Sequence, residues 1–196
     1  MNDRHFHRRR LPHLYYTDGI YFITYRLFGS IHPNELKKLN EEISKAKRES
    51  RSAKIFKKYD SLLDGLKSKN NYLSNPIIAE ICKSTLHFPD GKDYTLICYT
   101  IMPNHIHLVF DLLNKTKSVG NLMGAIKRNS AKDANNFLGL KDAFWQPESF
   151  DRLVRDEKEL YYVIRYVLMN PVNAGLVDNW RDWKYTYCHP DFIVIE

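Results

Sequence analysis

The chain has 196 residues, of which 43% are hydrophobic and 13% aromatic, and it carries a formal net charge of +7. These values exclude a disordered chain and leave too little length for two ordinary domains, so residues 1–196 are expected to form a single domain. No apolar run approaches the roughly 18 residues of a membrane span, which predicts a soluble, intracellular protein that does not act at a membrane. The excess of positive charge is of the kind that attracts phosphates, unless it is simply a basic solvated surface.

The three cysteines, Cys82, Cys98 and Cys188, are far apart and form no CxxC pair. Their number and spacing indicate neither a zinc knuckle nor a disulfide framework. A reducing cytoplasm fits this usage.

A basic arm is predicted at the N-terminus, over residues 1–13. It contains His5-Phe6-His7, followed directly by Arg8-Arg9-Arg10. Three arginines repel a metal cation, and chain termini are commonly loose. We therefore interpret this first histidine pair as part of a cationic arm with irregular backbone, and not as a metal site.

The next part of the chain predicts one strand and a helical insertion. An aromatic and β-branched run after the Asp18-Gly19 turn predicts a strand over residues 20–27. The lysine-rich stretch 33–70 has apolar residues at helical intervals, which predicts an insertion made of helices. Those apolar residues are Leu36, Leu39, Ile43, Ile55, Tyr59, Leu62, Leu63 and Leu66.

The remaining elements alternate between helices and strands. Asn75 is expected to cap a helix that begins at Pro76, and a hairpin of two strands over 94–102 and 105–113 follows. A helix over 120–137, a strand over 150–155 and a helix beginning after Asp156 complete the chain, with Glu159 placed to form a capping box. This order predicts an α+β fold, a ferredoxin-like sandwich with a central antiparallel β-sheet and helices packed on it.

His105-Ile106-His107 lies within the second strand of the predicted hairpin. Residues two apart on a strand point to the same face, so both imidazoles are presented side by side, as a metal-binding pair requires. The alternative is that both are ordinary core or edge histidines, since HxH alone is a common tripeptide.

Tyr162, Tyr166 and Asn170 are spaced four apart and form one column on the last helix. We expect this helix to end at Asn170, because the residue before Pro171 is disfavoured in helical conformation. The Asn170 amide could complete a His-His-Asn site and hold the phenol of Tyr166 near it. Alternatively, Asn170 caps a short helix that begins at Pro171, and the tyrosines are core residues.

Several motifs in order carry a resemblance to a known family. The run MPNHIHL at residues 102–108 resembles the HUH motif (His, bulky hydrophobic, His) of single-tyrosine transposases. The segments 144–147, 151–160 and 170–177, together with Tyr166, resemble the C-terminal half of the REP-associated tyrosine transposases. The resemblance begins near Arg8 and continues to about Trp183.

This resemblance implies an enzyme that binds single-stranded or hairpin DNA, such as an imperfect palindrome, and cuts it by tyrosine attack, leaving a 5′-phosphotyrosyl link. Tyr166 would be the nucleophile, and His105, His107 and Asn170 would hold Mg²⁺ or Mn²⁺. Isoleucine stands at the centre of the HUH motif, where valine is common. The insertion resembles an extension in one subgroup, and its role is open. The family also implies a nucleoid-associated cytoplasmic protein, with a homodimer as one arrangement.

The candidate DNA-binding residues are basic, with one amide from the 144–147 segment. They are Arg8, Arg9, Arg10, Lys127, Arg128, Gln146, Arg152 and Arg155. For the residues on the 120–137 helix, an ordinary solvated face is an equal alternative.

Two other functions remain open. One is a noncatalytic, RRM-like module that binds single-stranded nucleic acid on exposed aromatic residues of the sheet, or a domesticated DNA-binding regulator. The other is a zinc hydrolase, which would need a third strong ligand such as histidine or carboxylate. No motif places such a ligand.

Overall fold

The computed structural model describes residues 5–8, 12–15, 18–45, 58–63, 70–113, 117–193 and 195. The strands are β1 (His5–Arg8), β2 (Pro12–Tyr15), β3 (Gly19–Arg26), β4 (Tyr94–Ile101), β5 (His105–Leu112), β6 (Phe150–Leu153) and β7 (Thr186–Cys188). The helices are α1 (Pro33–Lys45), α2 (Pro76–His87), α3 (Val119–Leu138) and α4 (Glu157–Asn173), and residues 58–63 form a further helical segment. Within the part of the chain that the structure describes, none of the helices is both long and apolar enough to cross a lipid bilayer.

The main sheet has the strand order β6-β3-β5-β4-β7, and all of its pairings are antiparallel. The first four of these strands follow the ferredoxin-like order, which confirms the predicted fold class. The short edge strand β7 extends the sheet beyond that plan. In this register His107 lies between Thr24 on β3 and Thr100 on β4.

Helices cover both faces of the sheet. On one face, the alternate β3 residues Tyr21, Ile23 and Tyr25 belong to a core cluster that includes buried residues of α2 and α3. On the other face, Phe22 belongs to a second cluster with Ile164 and other buried residues of α4. Because residues alternate along a strand, His105 and His107 project toward the layer formed by α4.

Predicted caps are present at two helix starts. The Asn75 side chain accepts a hydrogen bond from the backbone N–H of Ile77 at 2.9 Å, and that of Asp156 accepts one from Glu159 N–H at 2.7 Å. The capping box is modified, because the Glu159 carboxylate returns to the backbone N–H of Arg155 at 3.0 Å. Both caps satisfy backbone donors that the first helical turn leaves free.

Helix α4 does not end at Asn170, so that expectation was wrong. The helix continues through Pro171 to Asn173, and both Asn170 and Pro171 are buried. A proline this close to the C-terminus removes one backbone donor from the last turn only, a smaller loss than in a helix centre. Asn170 therefore lies within a helix, and the alternative that it caps a new one is also wrong.

The predicted insertion is helical over residues 33–45 and 58–63, and Asn70 at its end is not helical. Leu39 of α1 packs with Ile31 and with Tyr59 and Leu63 of the 58–63 segment, forming a small apolar cluster of its own. The side chains of Ile43, Ile55 and Leu66 lie outside the described residues.

The expected irregular backbone of the N-terminal arm was wrong. Strands β1 and β2 pair antiparallel, with His7 opposite His13. The pairing satisfies main-chain donors and acceptors independently of side-chain pattern, which is why the basic composition did not reveal it. Arg9 and Arg10 lie outside the described residues.

Candidate metal and nucleophile site

The two imidazoles of β5 meet inside the protein. His105 is 1% exposed and His107 is 0% exposed, and their Nε2 atoms are 3.1 Å apart. Two ligands at about 2.1 Å from one cation and at right angles would be separated by about 3 Å. The spacing of the Nε2 atoms is thus that of a chelating pair.

The opposite nitrogen of each ring is held by a neighbour. His105 Nδ1 lies 2.6 Å from the side-chain oxygen of Asn104, and the Asn104 amide nitrogen donates to the Leu63 carbonyl at 2.9 Å. That second bond fixes the amide orientation, so the oxygen faces His105 and the hydrogen must be on His105 Nδ1. His105 Nε2 therefore presents a lone pair.

His107 is oriented in the same way by Thr24. The Thr24 hydroxyl lies 2.8 Å from His107 Nδ1, and when it accepts the hydrogen of that nitrogen, Nε2 presents a lone pair. Partners of this kind fix ring orientation at metal sites. Burial, with a further contribution from His107, holds the pKa of His105 well below its usual value, so the ring is neutral, as a ligand must be.

Tyr166 projects from α4 toward the histidine pair. The rings of Tyr166 and His107 have centroids 5.3 Å apart, and Phe22 contacts both rings. Asn170, one turn further along the helix, donates its amide N–H to the Tyr166 hydroxyl at 3.2 Å. The structure thus brings together His105, His107, Tyr166 and Asn170. Tyr161 and Tyr162 are instead exposed, at 40% and 56%.

Sequence reasoning missed Asp60, on the helical segment of the insertion. One of its carboxylate oxygens and the ring nitrogens of His105 and His107 all lie within 4.8 Å of one another. Its Oδ1 atom is 3.3 Å from His107 Nε2. The only signal was a carboxylate beside the apolar stripe of a lysine-rich segment. Thr24 and Asn104 were also missed as partners of the histidines.

Two buried oxygens at this site accept no hydrogen bond from the residues that the structure describes. They are Oδ1 of Asp60 and Oδ1 of Asn170. A buried polar atom without a partner is costly, and oxygen and imidazole donors together can hold a divalent metal ion. The residues present therefore fit a divalent metal ion.

A groove of about 400 Å³ leads to Tyr166 and is lined by Arg152, Arg155 and Lys158. Asp156 and Glu159 line it as well, and Glu159 pairs with both arginines. The groove places two predicted DNA-binding residues beside the candidate nucleophile.

Lys127 does not lie on a solvated face of its helix, so the alternative of an ordinary solvated lysine is wrong for this residue. Its ammonium donates to the carbonyls of Gln146 and Pro147 and to the Ser149 hydroxyl, at 3.0, 3.2 and 2.6 Å. Burial lowers its pKa to about 8. A phosphate contact would require it to leave these partners, so we assign it a structural role and remove it from the DNA-binding set. Arg128 is exposed and Gln146 is half-buried.

Comparisons with known proteins identify the family of the chain. The family model described as "Transposase IS200 like" matches residues 61–169. The chain is 28% identical over 114 residues to a provisionally named REP-associated tyrosine transposase of Haemophilus influenzae, covering 54% of this chain and 62% of that protein. It is 25% identical over 100 residues to the REP-associated tyrosine transposase of Escherichia coli, covering 51% and 58%. The matches span about three fifths of the length of these relatives.

A solved REP-associated tyrosine transposase bound to a REP hairpin matches with a TM-score of 0.53 and 19% identity, over 92% of this chain and 81% of that chain. This likeness shows the fold. The family model covers more than half of the chain, including the histidine pair and Tyr166. The chain therefore belongs to the IS200-like transposase family.

Proposed function

We propose that this protein is a transposase that cuts and rejoins DNA through Tyr166. One observation carries the proposal: Asn170 holds the Tyr166 hydroxyl at 3.2 Å beside a buried histidine pair whose Nε2 atoms converge. A nucleophile fixed next to a metal-type donor set is the arrangement that phosphodiester cleavage needs.

In the proposed step, the Tyr166 oxygen forms a bond to phosphorus while the bond from phosphorus to the 3′ oxygen breaks. The phenol loses its proton and the departing 3′ oxygen gains one. The products are a 5′-phosphotyrosyl link and a free 3′-hydroxyl. The reverse attack by a 3′-hydroxyl restores Tyr166 and joins strands without ATP.

His105, His107 and Asn170 are the proposed ligands of Mg²⁺ or Mn²⁺. Such an ion, when bound, polarises the scissile phosphate and offsets negative charge that develops on its oxygens. The protein residues supply position: Asn104 and Thr24 orient the rings, and Asn170 orients the phenol.

Single-stranded or hairpin DNA is the proposed substrate. Support comes from the groove beside Tyr166, where three basic side chains outnumber two acidic ones, and from the structural relative, which was solved with a REP hairpin. An enzyme acting on this substrate would work in the cytoplasm, at the nucleoid.

The noncatalytic RRM-like alternative loses its main support. That binding mode needs exposed aromatic residues on the sheet. Helices cover both faces of the sheet, so the aromatic residues of the three central strands are at most 3% exposed. These residues are Tyr21, Phe22, Tyr25, Tyr94, Tyr99 and Phe110.

The zinc-hydrolase alternative gains a ligand in Asp60. It predicts that water attacks the phosphate, and it gives no role to the bond between Asn170 and Tyr166. Hydrolysis leaves no DNA on the protein, so covalent attachment distinguishes the two functions.

The test uses 3′-end-labelled single strands from the DNA on both sides of the gene, incubated with the full chain and Mg²⁺ or Mn²⁺. On a denaturing gel, the wild type and Tyr162→Phe should form a covalent adduct, while Tyr166→Phe should form none. His105→Ala and His107→Ala should each lose the metal-stimulated reaction, and the double change of His5 and His7 to Ala should retain it. An adduct from Tyr166→Phe would refute the proposal.

A further inference from the structure

Asp60 is a buried carboxylate in a segment that is otherwise rich in lysine. It is 6% exposed, and its Oδ1 atom lies 3.3 Å from His107 Nε2 without a hydrogen-bond partner among the described residues. The family match begins at residue 61, so Asp60 lies just outside it.

The residues on either side of Asp60 are hydrogen-bonded to β3 and to the residue that precedes β5. Asn104 donates to the Leu63 carbonyl and also bonds His105, so one side chain joins the 58–63 segment to the histidine pair. The buried Arg26 on β3 donates to the Tyr59 hydroxyl at 3.2 Å. Tyr59 and Leu63 also pack in the apolar cluster with Ile31 and Leu39. The position of Asp60 is therefore set by contacts on both sides.

The Asp60 carboxylate has no compensating lysine or arginine in the described structure. Its Oδ1 atom faces His107 Nε2 at 3.3 Å, and one of its oxygens lies within 4.8 Å of the ring nitrogens of both histidines. A carboxylate that is buried without a basic side chain beside it is costly. A divalent cation between the carboxylate and the two imidazoles provides the missing compensation.

The hydrogen bonds of Tyr166 agree with such a placement. Asn170 donates to the Tyr166 oxygen at 3.2 Å, and the hydroxyl hydrogen bonds the Asp60 carboxyl. The amide nitrogen of Asn170 is thus engaged, while its oxygen stays available. Asp60 consequently touches both the histidine pair and the candidate nucleophile.

We propose that Asp60 is a ligand of the divalent metal, so that the insertion completes the site with a carboxylate that joins His105, His107 and Asn170. The inference rests on the metal dependence proposed above. It gives the 33–70 insertion a role: without its 58–63 segment, the site would lose one charged oxygen donor. A carboxylate ligand also lowers the total charge of the ion and its ligands by one unit, compared with a set of neutral ligands.

The test measures Mn²⁺ binding to the full chain without DNA, from the electron paramagnetic resonance signal of free Mn²⁺. The wild type should bind one ion. Asp60→Asn, which keeps the shape of the side chain, should raise the dissociation constant at least about tenfold, and His105→Ala should do the same. The control is Asp133→Asn, which makes the same change at an exposed position on α3 and should bind as the wild type does.

The outcomes separate the two proposals. If His105→Ala binds Mn²⁺ more weakly than the wild type while Asp60→Asn binds it equally well, Asp60 is not a ligand, and the proposal that the histidine pair binds metal is retained. If the wild type binds no ion, the metal dependence fails and the inference fails with it. If Asp60→Asn is less stable than the wild type, the rise in Tm on adding Mn²⁺ is compared between the two proteins, since a ligand stabilises only the state that binds it. An equal rise in Tm for both proteins would overturn the inference.

Discussion

Each imidazole of the site is oriented through the nitrogen that faces away from its partner. Asn104 holds His105, and Thr24 on the neighbouring strand holds His107. The Asn104 contact fixes the tautomer of His105 and the Thr24 contact fixes the orientation of the His107 ring, so the affinity for metal depends on residues that never touch the ion.

Thr24→Val tests this dependence, because valine keeps the shape of threonine and removes the hydroxyl. We expect Mn²⁺ affinity to fall by about 10- to 100-fold. The matched control is Thr100→Val: Thr100 flanks His107 on β4, but its hydroxyl lies 3.0 Å from that of Thr186. Equal Mn²⁺ affinities for the two variants would contradict the assigned role of Thr24.

Asn170→Ala removes both the bond to Tyr166 and the free amide oxygen. We expect the metal concentration for half-maximal cleavage to rise at least about tenfold, with a stability loss of about 1 kcal/mol. Asn173→Ala, an exposed change at the end of the same helix, should leave the metal titration unchanged. If the titrations of wild type and Asn170→Ala superimpose while stability falls, Asn170 is structural.

The histidine pair could be predicted from the sequence because its geometry is local: two residues apart on a strand share a face. Asp60 could not be predicted in the same way. It lies 45 positions before His105 in the chain and reaches the site only through tertiary contacts of Tyr59 and Leu63. The spacing along one element carries no information about such a residue.

At the scale of elements, Lys127 ties α3 to the segment that leads into β6. Its ammonium bonds three acceptors within residues 146–149 and lies 5.7 Å from the centre of the Tyr25 ring. This contact joins a helix on one face of the sheet to the strand next to β3. We therefore expect it to influence stability more than DNA binding.

The depressed pKa of Lys127 predicts a specific pH dependence. Burial lowers it to about 8, whereas an unfolded lysine titrates near 10.4. Between these values the unfolded chain binds more protons, so this group's contribution to the free energy of unfolding rises with pH and is lost as pH falls through about 8. In urea denaturation, the wild type should gain stability relative to Lys127→Met between about pH 8 and 10. A difference that does not change with pH would contradict this expectation.

Helix α4 shows where local rules fail. The sequence predicted its start at Asp156 correctly, because a cap depends on neighbouring residues only. Its end was misplaced, because the burial of Asn170 and Pro171 outweighs the usual restriction on a residue before proline.

At the scale of the whole molecule, the net charge of +7 should make DNA binding depend on salt. Each phosphate contact on a single strand contributes about −0.7 to the slope of log affinity against log salt. Arg152→Gln and Arg155→Gln should each reduce the slope by about that amount. Lys92→Gln, an exposed change in the turn before β4, should not. A wild-type slope near zero in a titration with a hairpin would contradict the electrostatic account.

The order of strands and helices was enough to predict the ferredoxin-like sheet, because few topologies connect that order without crossings. The covering of the second face by α4 was not predicted. It depends on Val163, Ile164 and Val167 packing against Phe22 and Val109, a contact between distant segments. That contact is what brings Tyr166 to the histidine pair.

The most direct test of the account identifies the tyrosine that carries DNA. After reaction with single-stranded DNA, nuclease digestion leaves a nucleotide on the protein, and trypsin separates the candidates, because it cuts after Lys158, Arg165 and Arg181. Mass spectrometry should find the nucleotide on the peptide 166–181, which contains Tyr166 as its only tyrosine. A nucleotide on the peptide 159–165, which carries Tyr161 and Tyr162, or cleavage without any attached nucleotide, would contradict the account.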